Sequence, residues 1–175
     1  MKKILSFTTI FLLVLSSSCL AQTFHMTGRR QPGYSAKPER IYVMVIGSLN
    51  TDDFSDGLLA GLIREFKKKG IMSDGLDGFE KSKETQADFA KGISDFKPEV
   101  SLTVRLDELN TYTDKKHTGA KFALTLADGK TGSEVWTGEL TITGRDITGD
   151  LYNHHFTNSA VKAIIARLTA DGIVN

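Results

Sequence analysis

Apolar positions follow two different rhythms along this chain, and the change between them organises it. The run IYVMVIGS, residues 41–48, is almost continuous in β-branched and aromatic side chains and is bounded by Gly47 and Asn50. So short a continuous run predicts a strand buried on both faces. Behind a cap at Thr51 or Asp52, Phe54, Leu58, Leu62 and Phe66 recur every four residues, with Leu59 and Ile63 beside them. This is the stripe of an amphipathic helix ending near Gly70, with Lys67, Lys68 and Lys69 opposing the negative end of its dipole. Gly57 and Gly61 lie one turn apart on it. They fit either a seam for a second helix or close packing of helix on sheet, and the second is the expectation. A further helix is predicted from Thr85 to Phe96, carrying Phe89, Ile93 and Phe96 on one face, with Pro98 beyond its end.

From residue 100 the period becomes two. Val100, Leu102, Val104 and Leu106 alternate with Ser101, Thr103, Arg105 and Asp107, the mark of a half-buried strand. The alternation resumes in AKFALTLADG with Phe122, Leu124 and Leu126, and again in SEVWTGELTITG, where Trp136, Leu140 and Ile142 share a face with Gly138. Three such runs with polar connections predict a meander. Val161, Ile164, Ile165 and Leu168 then return to helical spacing and stop at Gly172. The expected fold is an α+β two-layer sandwich: a mixed sheet of about four or five strands, helices on one face, order β-α-(β)-α-β-β-β-α. The bracketed strand would be a short one at Gly70 to Ser73.

The ends and connections refine this picture. The opening MKKILSFTTIFLLVLSSSCLAQ has a two-lysine start, an apolar run too short for a bilayer span, and small residues before a cleavage point, as a secretory signal peptide does. Two processing routes stay open: cleavage after Ala21, with Cys19 and Ala21 as the small residues, or lipid modification of Cys19 in "LSSSC", which resembles a bacterial lipobox except at Ser16. The domains expected are 1–21 signal peptide, 22–39 flexible linker or arm, and 40–175 a single α+β domain. The arm rests on Pro32, Gly33, Pro38 and the absence of a sustained apolar period. Residues 71–83, IMSDGLDGFEKSK, read as an exposed turn. Their Asp74, Asp77 and Glu80 lack the alternating carboxylates and placed glycine of a calcium loop.

Composition removes whole classes of function. Taking Lys2 and Lys3 away from 22 basic residues leaves one fewer than the 21 acidic ones, so there is no electrostatic footprint for nucleic acid. The single cysteine lies in the leader, so the folded part has neither disulfide nor thiolate metal site. No G-x-S-x-G elbow occurs, and His25, His117, His154 and His155 do not take zinc spacing. The GKTG turn lacks the upstream glycine of a phosphate loop, since Leu124 stands there and a strand follows. Asp52 with Asp53 and Asp107 with Glu108 are adjacent, a spacing that sends strand side chains to opposite faces. No catalytic residue, cofactor or metal is therefore expected, and the chain is read as a non-enzyme. Trp136, the only tryptophan, is predicted to lie with the core; a ligand platform of Trp136, Tyr112 and Tyr152 is the competing reading.

The strand RIYVMVIGS, the helix DDFSDGLLAGLIREFKKKGI and the hairpin KFALTLADGKTGSEVWTGELTI together resemble a group of small Gram-negative envelope domains. These are the amino-terminal domain of TolB, the periplasmic part of CsgG, and the outer-membrane lipoproteins that assist penicillin-binding proteins or exopolysaccharide export. The hairpin is similar to the Asp-x-x-Thr-Gly-x-x-x-Trp pattern of such lipoproteins, with Asp128, Thr131, Gly132 and Trp136 in place. The resemblance implies an exported, periplasmic or outer-membrane-associated scaffold whose partners are envelope proteins. Its contact with a membrane would run only through a lipid on Cys19.

Overall fold

The computed structural model describes residues 22–47, 52–79, 83–111, 117–144, 147 and 154–175. Among these residues six strands form one sheet: β1 (Thr23–Arg30), β2 (Arg40–Gly47), β3 (Met72–Phe79), β4 (Val100–Thr111), β5 (His117–Asp128) and β6 (Glu134–Thr143). Three helices among the described residues pack on it: α1 (Asp52–Lys68), α2 (Lys83–Phe96) and α3 (His154–Ala170). The spatial order is β1-β6-β5-β4-β2-β3. β2 runs parallel to β3 and β4, while β4, β5, β6 and β1 pair antiparallel in sequence. The fold is the expected α+β arrangement with more strands.

Two strands stand where connections were predicted. Thr23–Arg30, expected to belong to a flexible arm, is an edge strand paired along its whole length with β6. Its own pattern carries the reason: Phe24 and Met26 alternate with exposed Thr23, His25 and Thr27, and pack against the core. The short strand anticipated near Gly70 is instead the full β3, inside a segment read as a turn. Its two glycines and two aspartates mask strand propensity, and parallel pairing with β2 overrides them.

The core is one continuous cluster between the sheet and two helices. Ile41, Val43 and Val45 of β2, Leu102 and Val104 of β4, and Phe122, Leu124 and Leu126 of β5 meet Phe54, Leu58, Leu62 and Phe66 of α1. Each of these side chains is at most 1% exposed, and each such burial contributes about 1.5–3 kcal/mol. α1 ends in a Schellman turn, with Ile71 N–H donating to Phe66 O, Gly70 N–H to Lys67 O, and Gly70 at φ 75°. α3 ends the same way through Ile173, Leu168 and Gly172.

The helices do not all share a face. Alternate residues of β2 point oppositely, and Tyr42 meets α2: its ring lies 5.9 Å from that of Phe96, and it fills the space left by Gly92. Ile41 and Val43 meet α1. The crossover from β2 to β3 and the return from β3 over β2 to β4 run in opposite directions, so right-handed connections set α1 and α2 on opposite faces. α1 and α3 therefore cover one face, while α2 covers the β2–β3 end of the other. The pairing of α1 with α3 also decides the role of Gly57 and Gly61. A methyl group on Gly61 would stand 2.6 Å from Val161 Cγ2, and one on Gly57 would stand 3.1 Å from Thr157 Cγ2. The two glycines form a seam for a second helix, not the helix-on-sheet contact expected.

Candidate functional site

The residues singled out in the sequence do not gather into a ligand site among the described residues. Trp136 is fully buried and offers no surface on which a ligand could stack. Tyr112, Tyr152 and Cys19 lie outside the described residues, as do Thr51 and Glu80. Asp74 and Asp77 sit on opposite faces of β3, and the described residues hold no group of three or more potential metal ligands. No helix among them is long and apolar enough to cross a membrane.

Trp136 instead ties the two ends of the chain together. Its ring lies over Gly28 and Gly138, which face each other across the β1–β6 ladder; a methyl group on Gly28 would stand 2.6 Å from Trp136 Cζ2. The indole Nε1–H donates to Asp171 Oδ2 at 2.7 Å. Arg167 Nε donates to the same oxygen at 2.9 Å, its Nη2 pairs with Asp171 Oδ1, and that nitrogen also reaches Gly28 O at 3.2 Å. Burial raises the Asp171 carboxyl, but hydrogen bonds from Arg167 and Trp136 outweigh it and hold the group below its ordinary value. The network joins β1, β6 and the end of α3. The sequence pattern gave Trp136 its inward face but carried no sign of Asp171 or Arg167, which come from a different element.

The Asp-x-x-Thr-Gly segment is a turn built on one carboxylate. Asp128 Oδ1 accepts from Lys130 N, Thr131 N and Thr131 Oγ1 at 3.0, 2.8 and 3.0 Å, which lowers the Asp128 carboxyl. Gly132 takes the positive φ of 70° that closes the turn. Gly129, at the start of the same turn, does not take a positive φ. It is small because its backbone runs against Pro98 and Glu99, donating to Glu99 O at 2.7 Å.

One broad surface remains. Over β4, β5, β6 and β1 the sheet face opposite α1 and α3 carries polar side chains in cross-strand rows. Thr103, Thr125, Thr137 and Arg29 form one row; Arg105, Ala123, Glu139 and Thr27 form the next. Lys121, in the row beyond, pairs with Glu139 at 3.3 Å. A hollow of about 370 Å³ lies on this face, lined by Ile46, Thr103, Arg105, Ala123, Thr125 and Glu134. Threonines and paired charges present hydrogen-bonding groups without a nucleophile–base pair, which suits contact with another surface.

The chain matches no protein-family model and no curated protein. Solved structures resemble it. A PelC dodecamer from Paraburkholderia phytofirmans aligns at 17% identity and TM-score 0.50, over 86% of this chain and 99% of that one. A second crystal form of PelC aligns at 13% identity and TM-score 0.48, over 81% and 97%. Lipoprotein GNA1162 from Neisseria meningitidis aligns at 16% and 0.44, over 74% and 99%. At these identities the likeness is one of fold.

Proposed function

We propose that this chain is a non-catalytic interaction or scaffold module of a bacterial cell envelope, exported to the periplasm or held at the outer membrane. The observation that carries the reading is the bare, polar face of β4, β5, β6 and β1, which α2 leaves uncovered. A broad surface of threonines and balanced charges binds by shape and hydrogen bonding across many weak contacts, as protein interfaces do. The amino-terminal sequence, with the basic start and short apolar run of a signal peptide, supports export. PelC, whose fold is similar, is a dodecamer, and a related use of this fold for assembly agrees with the reading.

Affinity capture from envelope extract tests it. The intact chain is expected to retain defined envelope proteins, and Thr125→Arg, which places a long cation in the centre of the bare face, is expected to lose them while keeping its circular dichroism. A chain that captures nothing, or whose captured set is unchanged by Thr125→Arg, would overturn the reading.

A further inference from the structure

The two edges of the sheet are complementary to one another. β1 carries His25, Arg29 and Arg30 and no acidic residue; β3 carries Asp74 and Asp77 and no basic one. Both are eight residues long. β1 runs opposite to β6, which through β5 and β4 shares the direction of β2 and β3. A second copy that continued the sheet in the same orientation would therefore set β1 against β3 antiparallel, the more stable pairing.

The register that opposes Arg29 to Asp74 runs from Phe24 opposite Phe79 to Arg30 opposite Ser73, so it uses nearly all of both strands. Faces agree within it. Arg29 lies on the bare face, since it registers with Thr137, and Asp74 lies on the same side of the sheet, beside Tyr42. Hydrogen-bonding parity agrees as well. Gln31 N–H donates to Val135 O, which turns the odd residues of β1 toward β6 and the even ones outward. Met72 N–H donates to Glu39 O, turning the even residues of β3 toward β2 and the odd ones outward. In the chosen register every even residue of β1 opposes an odd residue of β3.

Two outward groups that would bond each other, Gly28 O and Gly75 N–H, are each capped by a side chain in the single chain. Arg167 donates to Gly28 O at 3.2 Å, and Asp74 Oδ1 accepts from Gly75 N at 2.8 Å. Such caps blunt an edge against indiscriminate pairing. An arginine placed opposite Asp74 competes for that carboxylate and frees the Gly75 N–H. We propose that copies of this chain join head to tail, β1 of one adding antiparallel to β3 of the next, with Arg29 opposite Asp74. A contact between two different patches closes into a ring or continues as a filament according to the rotation between copies. The proposal deepens the scaffold reading by naming one partner, a second copy; its contact runs along the sheet edges and takes in only the β1 margin of the bare face, where Arg29 stands.

Sedimentation velocity on the exported chain is expected to show oligomers that grow with concentration and dissociate between about 0.02 M and about 0.5 M salt, as exposed charge pairs are screened. Arg29→Glu and Asp74→Arg alone are each expected to give monomers, and the two together to restore association. For register, Thr27→Cys and Leu76→Cys are combined on a Cys19→Ala background. Within one chain these positions lie five strand spacings apart, about 24 Å, so a disulfide can form only between copies. Oxidation is expected to give a ladder of linked copies, and Thr27→Cys with Asp77→Cys, which points to the other face, to give none. A monomer at every concentration and salt, or a dimer formed by Thr27→Cys alone, would overturn the proposal. Retention of envelope partners by a strictly monomeric chain would leave the scaffold reading standing without it.

Discussion

Replacing Asp171 by alanine tests whether the Trp136 network holds the chain's two ends together. The change removes the carboxylate that accepts the indole N–H at 2.7 Å and leaves that donor, on a fully buried ring, without its partner. A buried donor left without a partner costs about 1–3 kcal/mol. Arg167 loses its ion pair as well, but its side chain is 34% exposed, so solvent screening leaves that loss the smaller of the two. The expected destabilisation is about 2–3 kcal/mol. The assay is unusually clean, because Trp136 is the only tryptophan. Its emission reports on this site alone, and urea unfolding followed by fluorescence gives the free energy from the midpoint. Asp171→Asn keeps an acceptor for the indole and is expected to lose about 1 kcal/mol. A loss below about 0.5 kcal/mol for Asp171→Ala would show that the hydrogen bond is not what holds the tryptophan. Equal losses for alanine and asparagine would refute the partition between hydrogen bond and charge.

Two further outcomes follow from the geometry. Gly61→Ala should lower stability by about 1–3 kcal/mol in chemical denaturation, despite alanine's better helix propensity, because the methyl meets Val161 across the α1–α3 seam; adding Val161→Ala should recover part of the loss, and no recovery would place the strain elsewhere. For pH, Asp171 has a lowered folded-state pKa, so its contribution is present above the unfolded value and is lost as pH falls through the folded one. The acid limb of the stability profile should therefore be shallower in Asp171→Asn, and an unchanged slope would remove Asp171 from that linkage.

How much was legible beforehand varied with the kind of signal. α1 was readable to its buried residues, because a helix that lays one stripe on a core repeats its apolar side chains at fixed spacing. The β4–β5–β6 meander was equally plain. β1 was hidden because Pro32, Gly33 and Pro38 follow it and only two of its residues are large and apolar, although Phe24 and Met26 alternate as a strand requires. β3 was hidden for the opposite reason: its composition is that of a turn, and only the neighbouring β2 makes it a strand. Of the candidate site, Trp136 was seen and its burial predicted; Asp171 and Arg167 carried no local mark.

The sequence by itself determined the α+β class, the inward face of each long element, the turn at Asp128, and the absence of any recognisable catalytic spacing, since these depend on residues close together along the chain. Tertiary structure alone decided that α2 crosses to the second face, that Gly57 and Gly61 meet α3, and that a strand from the amino-terminal arm is locked over Trp136 by a carboxylate from the far end of the chain. These depend on which distant segments lie side by side, and periodicity records only which way a side chain faces, not what it will meet.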